Sequence, residues 1–177
     1  MRDESKLEGL SFTPFDIGVR PRYVYVASSW RNPMHTAVCA ALKAADVPHY
    51  DFKNPESGTG FSWREVKTGI RPSAEQTPRP KGSDWEVLAE YFDMVRHPRA
   101  VEGFNSDFAA MERADAFVMV LPCGKSAHLE LGWAVGAGVH TAILAEDPIE
   151  PELMYRMVDY ISPNLFDLLG WLGVDDS

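Results

Sequence analysis

Glu130 stands near the start of a predicted helix, directly after the kind of turn that ends a buried strand. The strand, residues 116–121, is short and apolar, which is typical of a strand buried on both faces of a parallel sheet. Pro122, Gly124 and Ser126 then end the strand and begin the helix. Ligands of open α/β sheets bind beyond the carboxyl ends of the strands. A carboxylate at this position could therefore attack or stabilise an oxocarbenium-like carbon.

The sequence leaves other interpretations of Glu130 and of this turn to be weighed. A capping box with Ser126 would need its carboxylate at position 129, which is Leu129, so Glu130 is out of register for that role. An ordinary acidic residue in a first helical turn, favoured by the helix dipole, remains the alternative. Cys123 could be a nucleophile with His128 as its base, but a small apolar residue suits a tight turn equally well.

Two predicted loops carry groups that suit one small anion such as a monophosphate, namely hydroxyls, a guanidinium and backbone amides at helix starts. They are Ser28, Ser29, Trp30 and Arg31 after the first strand, and Gly124, Lys125 and Ser126 before the helix of Glu130. Simple N-capping by the serines is the alternative. The chain lacks the glycine patterns of dinucleotide-binding folds and of P-loops, so those chemistries are disfavoured.

The sequence predicts neither a cofactor nor a metal. Its five histidines are scattered, and its two cysteines, Cys39 and Cys123, form no disulfide framework and no zinc-finger spacing. No Ser-His-Asp arrangement can be assigned either. Cys39 is expected to pack on a helix.

Residues 53–82 form a long connection rich in Gly, Pro, Ser and charges. Connections of this length are usually functional or disordered. One interpretation is a polar linker. The other is a lid that stacks Phe61 or Trp63 on a nucleobase, because aromatic rings stack on bases of any sequence.

Strand and helix patterns alternate along the rest of the chain. This alternation predicts a three-layer, flavodoxin/Rossmann-like α/β domain with a mainly parallel sheet of about five strands. Residues 1–21 are predicted to be an N-terminal arm, and residues 22–177 a single domain with 53–82 as its lid or insert. Phe104, Phe108 and Met111 recur at helical spacing and are expected in the core. The predicted strands are 22–27, 49–52, 116–121, 141–145 and 157–161.

Composition limits the classes of partner. The chain has 177 residues, 45% of them hydrophobic, with a formal net charge of -9. Because the net charge is negative, the chain is not expected to bind a polynucleotide. The sequence shows neither an apolar span of membrane length nor the apolar core of a signal peptide, so a cytoplasmic protein that does not bind membranes is expected.

Three groups of residues together resemble the nucleoside 2-deoxyribosyltransferase superfamily, which also contains nucleoside 5'-monophosphate N-glycosidases. The first is the segment 25–31, and the second is Asp107 followed by Ala114, Asp115 and an apolar strand. The third is the segment 124–132, with its Glu-Leu-Gly. The resemblance extends loosely from residue 22 to the C-terminal helix.

The resemblance implies roles for individual residues. Glu130 would be the nucleophile that forms a glycosyl-enzyme, Asp107 would contact or protonate the departing base, and Tyr25 would position the nucleophile. Ser29-Trp30-Arg31 reproduces a Ser-x-Arg of the monophosphate hydrolases, and Ser126 could supply their serine near the glutamate. Cys123 and Lys125 stand where several transferases carry an acidic residue, which favours a phosphorylated substrate.

These features lead to an expected function and to open alternatives. The expectation is cleavage of the N-glycosidic bond of a (deoxy)nucleoside 5'-monophosphate by a homodimer or larger homo-oligomer that acts on small molecules. The first alternative is a nucleoside 2-deoxyribosyltransferase that exchanges bases on free deoxynucleosides. Alternatives of another class are a sensor of a nucleotide-derived signal and a Toll/interleukin-receptor-like NAD hydrolase.

Overall fold

The computed structural model describes residues 20–56, 58, 60–66, 84–147 and 150–174. Most of the predicted N-terminal arm and most of the predicted insert at 53–82 therefore lie outside the described residues. Within the described residues, no helix has the length and apolar character needed to cross a membrane.

A parallel sheet of five strands organises the described chain, in the order β2-β1-β3-β4-β5, and every neighbouring pair is parallel. Helices connect the strands, so the prediction of a three-layer α/β fold with a parallel sheet of about five strands is confirmed. The strands are β1 (Val24–Ala27), β2 (His49–Asp51), β3 (Ala116–Val120), β4 (His140–Leu144) and β5 (Tyr160–Ser162). The α-helices are α1 (Pro33–Ala44), α2 (Asp84–Val95), α3 (Pro98–Arg113), α4 (Lys125–Ala137) and α5 (Leu165–Trp171).

The chain divides into two compact units. The first, the sheet unit, comprises the chain up to Asp51 and from Met111 onward, and it contains all five strands of the described residues. The second, the helical unit, is Phe52–Ala110, which contains α2 and most of α3. The described residues of the insert predicted at 53–82 fall within the helical unit.

One face of the sheet forms the main apolar core. Val24 and Val26 of β1 are completely buried there, and α1 covers them with Val38 and Leu42. Full burial of each such side chain contributes about 1.5–3 kcal/mol, which explains why the central strands consist almost entirely of apolar residues. The same cluster includes Leu168, Trp171 and Leu172 of α5.

The opposite face of the sheet carries an aromatic row and packs against α4. Tyr25 lies between Tyr50 and Phe117 in the neighbouring strands, with ring centroids 5.2 Å and 4.9 Å apart and nearly parallel planes. These residues alternate with the valines of the main core, so they point to the other side of the sheet. Helix α4 buries a narrow stripe of Ala127, Leu131 and Ala134 and is packed against β1, β3 and β4.

The helical unit has its own local contacts. Arg99 forms ion pairs with Glu65 at 2.8 Å and with Glu102. Phe104 and Phe108 stack with their centroids 5.5 Å apart, but Phe104 is 62% exposed. The prediction that Phe104 belongs to the core is wrong, because helical spacing shows which residues share a face but not whether anything covers that face.

Candidate active site

Asn32 joins the two loops that follow β1 and β3. Its Nδ2 group donates to the Ser28 hydroxyl at 3.1 Å, to the Val120 carbonyl at 3.2 Å and to the Pro122 carbonyl at 3.1 Å. The Ser28 hydroxyl itself donates to the Val120 carbonyl at 2.8 Å. Since β1 and β3 are parallel neighbours, both loops lie at the carboxyl edge of the sheet, where ligands of such folds bind.

The predicted anion-binding residues of the loop after β1 differ in burial and in hydrogen bonding. Ser28 is half-buried and committed to the loop-joining hydrogen bonds. Ser29 accepts a hydrogen bond from the backbone amide of Arg31 at 3.3 Å, which shapes the turn. Arg31 and Trp30 are exposed, with half of the Trp30 surface accessible to solvent. The guanidinium of Arg31 is thus accessible to an anion at this edge.

The start of α4 provides the second group of predicted residues. Gly124 is the N-cap of α4 and makes no side-chain capping bond, and Lys125 and Ser126 are exposed in the first turn. The N-cap of α1 is Asn32, whose side chain accepts from the Met34 amide at 2.9 Å. The alternative that serines merely cap these two helices is therefore wrong, and no side chain caps the amides at the start of α4.

Glu130 lies at the edge of the buried stripe of α4. A helix turns by about 100° per residue, so Glu130 is displaced by less than a quarter turn from the centre of that stripe. It is half-buried. Burial, and then the charge of the Glu130 carboxylate, raise the pKa of the Cys123 thiol to about 11. The carboxylate is therefore close to the loop that follows β3.

Cys123 is unsuited to be a nucleophile. With its pKa near 11, the thiol stays protonated at neutral pH. His128 Nδ1 is 3.6 Å from the Cys123 sulfur but 2.9 Å from the carbonyl oxygen of Gly124, to which it donates. The other ring nitrogen, Nε2, accepts from the Tyr155 hydroxyl at 2.9 Å. The imidazole nitrogen nearest the thiol thus carries a proton and cannot act as its base.

Tyr25 is almost completely buried, at 1% exposure, in the aromatic row beneath α4. It shares this face of the sheet with the helix that carries Glu130, and α4 is packed against β1. The role of Tyr25 in positioning the nucleophile stays a prediction that its location permits.

Three predicted site residues belong to the helical unit. Asp107 is half-buried on α3. Phe61 and Trp63 pack edge to face, with centroids 4.9 Å apart, and Trp63 is 51% exposed. Their roles at the base, including the lid of aromatic rings, stay predictions.

Two residues of this region could not be identified from the sequence. They are Asn32, which joins the two loops, and Tyr155, which hydrogen-bonds His128. An Asn directly before Pro33 is a recognisable N-cap signal, which could have identified the capping role of Asn32. Its contacts across 88 to 90 residues of chain have no local signal. The pairing of Tyr155 with His128 is likewise a long-range contact.

No family model matches the chain, and no curated protein sequence matches it. Among solved structures, a 2-deoxyribosyltransferase from the psychrotolerant bacterium Bacillus psychrosaccharolyticus aligns over 82% of this chain and 89% of its own, with 16% identity and a TM-score of 0.47. A conserved protein from Enterococcus faecalis V583 aligns over 86% and 87%, with 13% identity and a TM-score of 0.32.

Proposed function

We propose that the protein cleaves the N-glycosidic bond of a (deoxy)nucleoside 5'-monophosphate and releases the free base. The observation that supports this most is the position of the Glu130 carboxylate, half-buried on α4 and close enough to Cys123 to raise the pKa of its thiol. A carboxylate at the ligand-binding edge of a parallel sheet, partly shielded from water, is suited to attack an anomeric carbon.

The reaction would proceed in two displacements. A Glu130 carboxylate oxygen bonds to C1′ while the C1′–N bond breaks, and the base departs with the bonding electrons. The base takes a proton from Asp107, the acid that the sequence resemblance implies. Water then attacks C1′ of the glycosyl ester, returns a proton to Asp107 and restores the Glu130 carboxylate, as in retaining glycosidases.

The phosphate would bind to the two loops that Asn32 joins. Arg31 offers an exposed guanidinium, and Lys125 offers an ammonium group at the first turn of α4. Ser29 and Ser126 offer hydroxyls, and the uncapped amides at the start of α4 favour a negative charge. This set of donors supports a phosphorylated substrate over a free nucleoside.

An assay of base release from a panel of substrates tests the proposal. The purified protein is incubated with ribo- and deoxyribonucleosides and with their 5'-monophosphates, each with and without a second free base, and the bases are resolved by chromatography. We expect base release from a monophosphate without any acceptor. Release that requires an acceptor base identifies the transferase instead, and nicotinamide release from NAD identifies the NAD hydrolase. Tight calorimetric binding without turnover identifies the sensor.

A further inference from the structure

We propose that His35, Cys39 and Asp51 form a binding site for one Zn²⁺ ion in the sheet unit, separate from the residues assigned to glycosidic cleavage. His35 and Cys39 are four residues apart on α1, so their side chains lie on the same face of that helix. Asp51 ends β2, next to which α1 packs. One nitrogen, one sulfur and one carboxylate oxygen therefore converge from two elements.

The distances between these donor atoms are close to those of a coordination sphere. His35 Nε2 is 3.7 Å from Cys39 Sγ and 3.7 Å from Asp51 Oδ1, and all three atoms lie within 4.8 Å of one another. Zinc bonds of about 2.0–2.3 Å in a tetrahedron put two ligand atoms about 3.3–3.7 Å apart. Two of the three distances between donor atoms thus lie at the upper end of this range, and the third, at most 4.8 Å, needs to shorten by no more than about 1.5 Å.

The buried location favours a divalent ion through charge balance. His35 is completely buried, Cys39 is 7% exposed, and the Asp51 side chain is 22% exposed. Zn²⁺ would bind Cys39 as a thiolate and Asp51 as a carboxylate, so its two positive charges would balance theirs, and a neutral imidazole adds a third bond. Sulfur and imidazole donors select zinc over the harder Mg²⁺ and Ca²⁺. Because the Asp51 side chain is partly exposed, solvent water could supply the fourth ligand.

A bound ion would fasten the first turns of α1 to the edge strand. β2 is only three residues long and pairs on one side, with β1. A metal that links its last residue to His35 and Cys39 would therefore stabilise the end of the sheet next to the loop of residues 28–32. Binding of this kind contributes directly to folding free energy, because the unfolded chain has no formed site.

Cobalt spectroscopy on the full chain tests the site, because Co²⁺ reports a thiolate ligand by a charge-transfer band and four-coordination by intense visible bands. The reduced protein is stripped of metal with a chelator, titrated with Co²⁺, and then titrated with Zn²⁺. We expect one equivalent of Co²⁺ with both spectral signatures, displaced by one equivalent of Zn²⁺. The Zn²⁺-loaded protein should also unfold at a higher temperature than the stripped protein.

The two cysteines provide a matched comparison. Cys123→Ala should keep the thiolate band, which then comes from Cys39 because the chain has only two cysteines. Asp51→Asn should weaken Zn²⁺ binding by about tenfold or more. X-ray absorption of the zinc complex of Cys123→Ala should show one sulfur ligand. This measurement does not depend on the folding of a Cys39 variant.

Three results would overturn the proposal. They are a Co²⁺ complex of Cys123→Ala with only nitrogen and oxygen ligands, unchanged Zn²⁺ affinity in Asp51→Asn, and the absence of any stoichiometric Co²⁺ complex of the wild-type chain. Base release can be assayed separately with stripped and loaded protein, so failure of the metal site leaves the proposed glycosidase reaction unaffected.

Discussion

Replacing Asn32 tests how the two loops of the candidate site are held together. The side chain is 3% exposed, and it both donates to three oxygen atoms and accepts from the Met34 amide. Two N–H hydrogens cannot serve three acceptors fully, so at least one of these hydrogen bonds is shared. The energetic cost of removing Asn32 is therefore smaller than four separate bonds would suggest.

For Asn32→Ala, we expect the free energy of unfolding to fall by about 2 kcal/mol. Loss of the N-cap of α1 costs about 1 kcal/mol. The Val120 carbonyl keeps its hydrogen bond from the Ser28 hydroxyl, and the exposed residue Pro122 can bind water through its carbonyl. The lost donor bonds therefore add only about 1 kcal/mol, which is the net value of an ordinary hydrogen bond.

Asn32→Asp separates the two functions of this side chain. The introduced carboxylate can still cap α1, but it turns a negative oxygen towards oxygen atoms of Ser28, Val120 and Pro122. At pH 7 we expect a loss of about 3 kcal/mol or more, because the carboxylate oxygen that replaces the Nδ2 group is buried without a donor. The deficit should shrink as the pH falls, because protonation of the introduced carboxylate removes the buried charge.

Urea unfolding followed by tryptophan fluorescence, at pH 7 and at mildly acidic pH, measures both variants against the wild-type protein. If Asn32→Asp is no less stable than Asn32→Ala at pH 7, or if its deficit grows on acidification, the donor role assigned to Asn32 is wrong.

Three further predictions concern other parts of the chain. In thermal unfolding, Gly103→Ala should lower the stability by about 1–3 kcal/mol, because a Cβ there would lie 2.6 Å from Phe61 Cβ. The matched control Gly136→Ala, whose Cβ would have no atom within 4 Å, should raise the stability by up to about 1 kcal/mol. Burial alone would raise the pKa of Asp115, but hydrogen bonds from two backbone amides and a guanidinium outweigh it and lower the pKa. The ionised Asp115 therefore stabilises the fold above its unfolded-state pKa near 3.8, and this stabilisation is lost as the pH falls through its lower folded-state pKa. Asp115→Asn should consequently destabilise the protein at pH 7 and have little effect in strong acid. Alkylation of Cys123 should stay slow until the pH approaches 11, and Cys123→Ala should retain base release. Rapid alkylation of Cys123 at pH 8 contradicts the third prediction.

The sheet could be predicted from sequence because its signals are local. β3 is a run of buried apolar residues and β4 ends in one, and the predicted and observed bounds of both strands differ by one residue at most. The first strand was predicted from residue 22, yet β1 begins at Val24. Arg22 instead forms an ion pair with Asp115, a contact between residues 93 positions apart that has no local signature.

The site could be predicted only in outline. Parallel topology brings the ends of β1 and β3 to one edge, so the proximity of the two loops follows from the order of strands. Which polar side chain joins them does not follow, because a serine cap and an asparagine cap are equally plausible in sequence. The short distance between Asp51 and His35 depends on how α1 packs on β2. The spacing of residues along the chain does not predict that packing.

Glu130→Gln is the decisive variant for the proposal that the Glu130 carboxylate is the nucleophile. The matched control is Glu112→Gln, which removes the same charge from an exposed position on α3. Single-turnover release of base from the best monophosphate should fall by about a thousandfold or more in Glu130→Gln, with circular dichroism unchanged, and should be unaffected in Glu112→Gln. Full activity in Glu130→Gln, or an equal loss in both variants, would show that Glu130 is not the nucleophile.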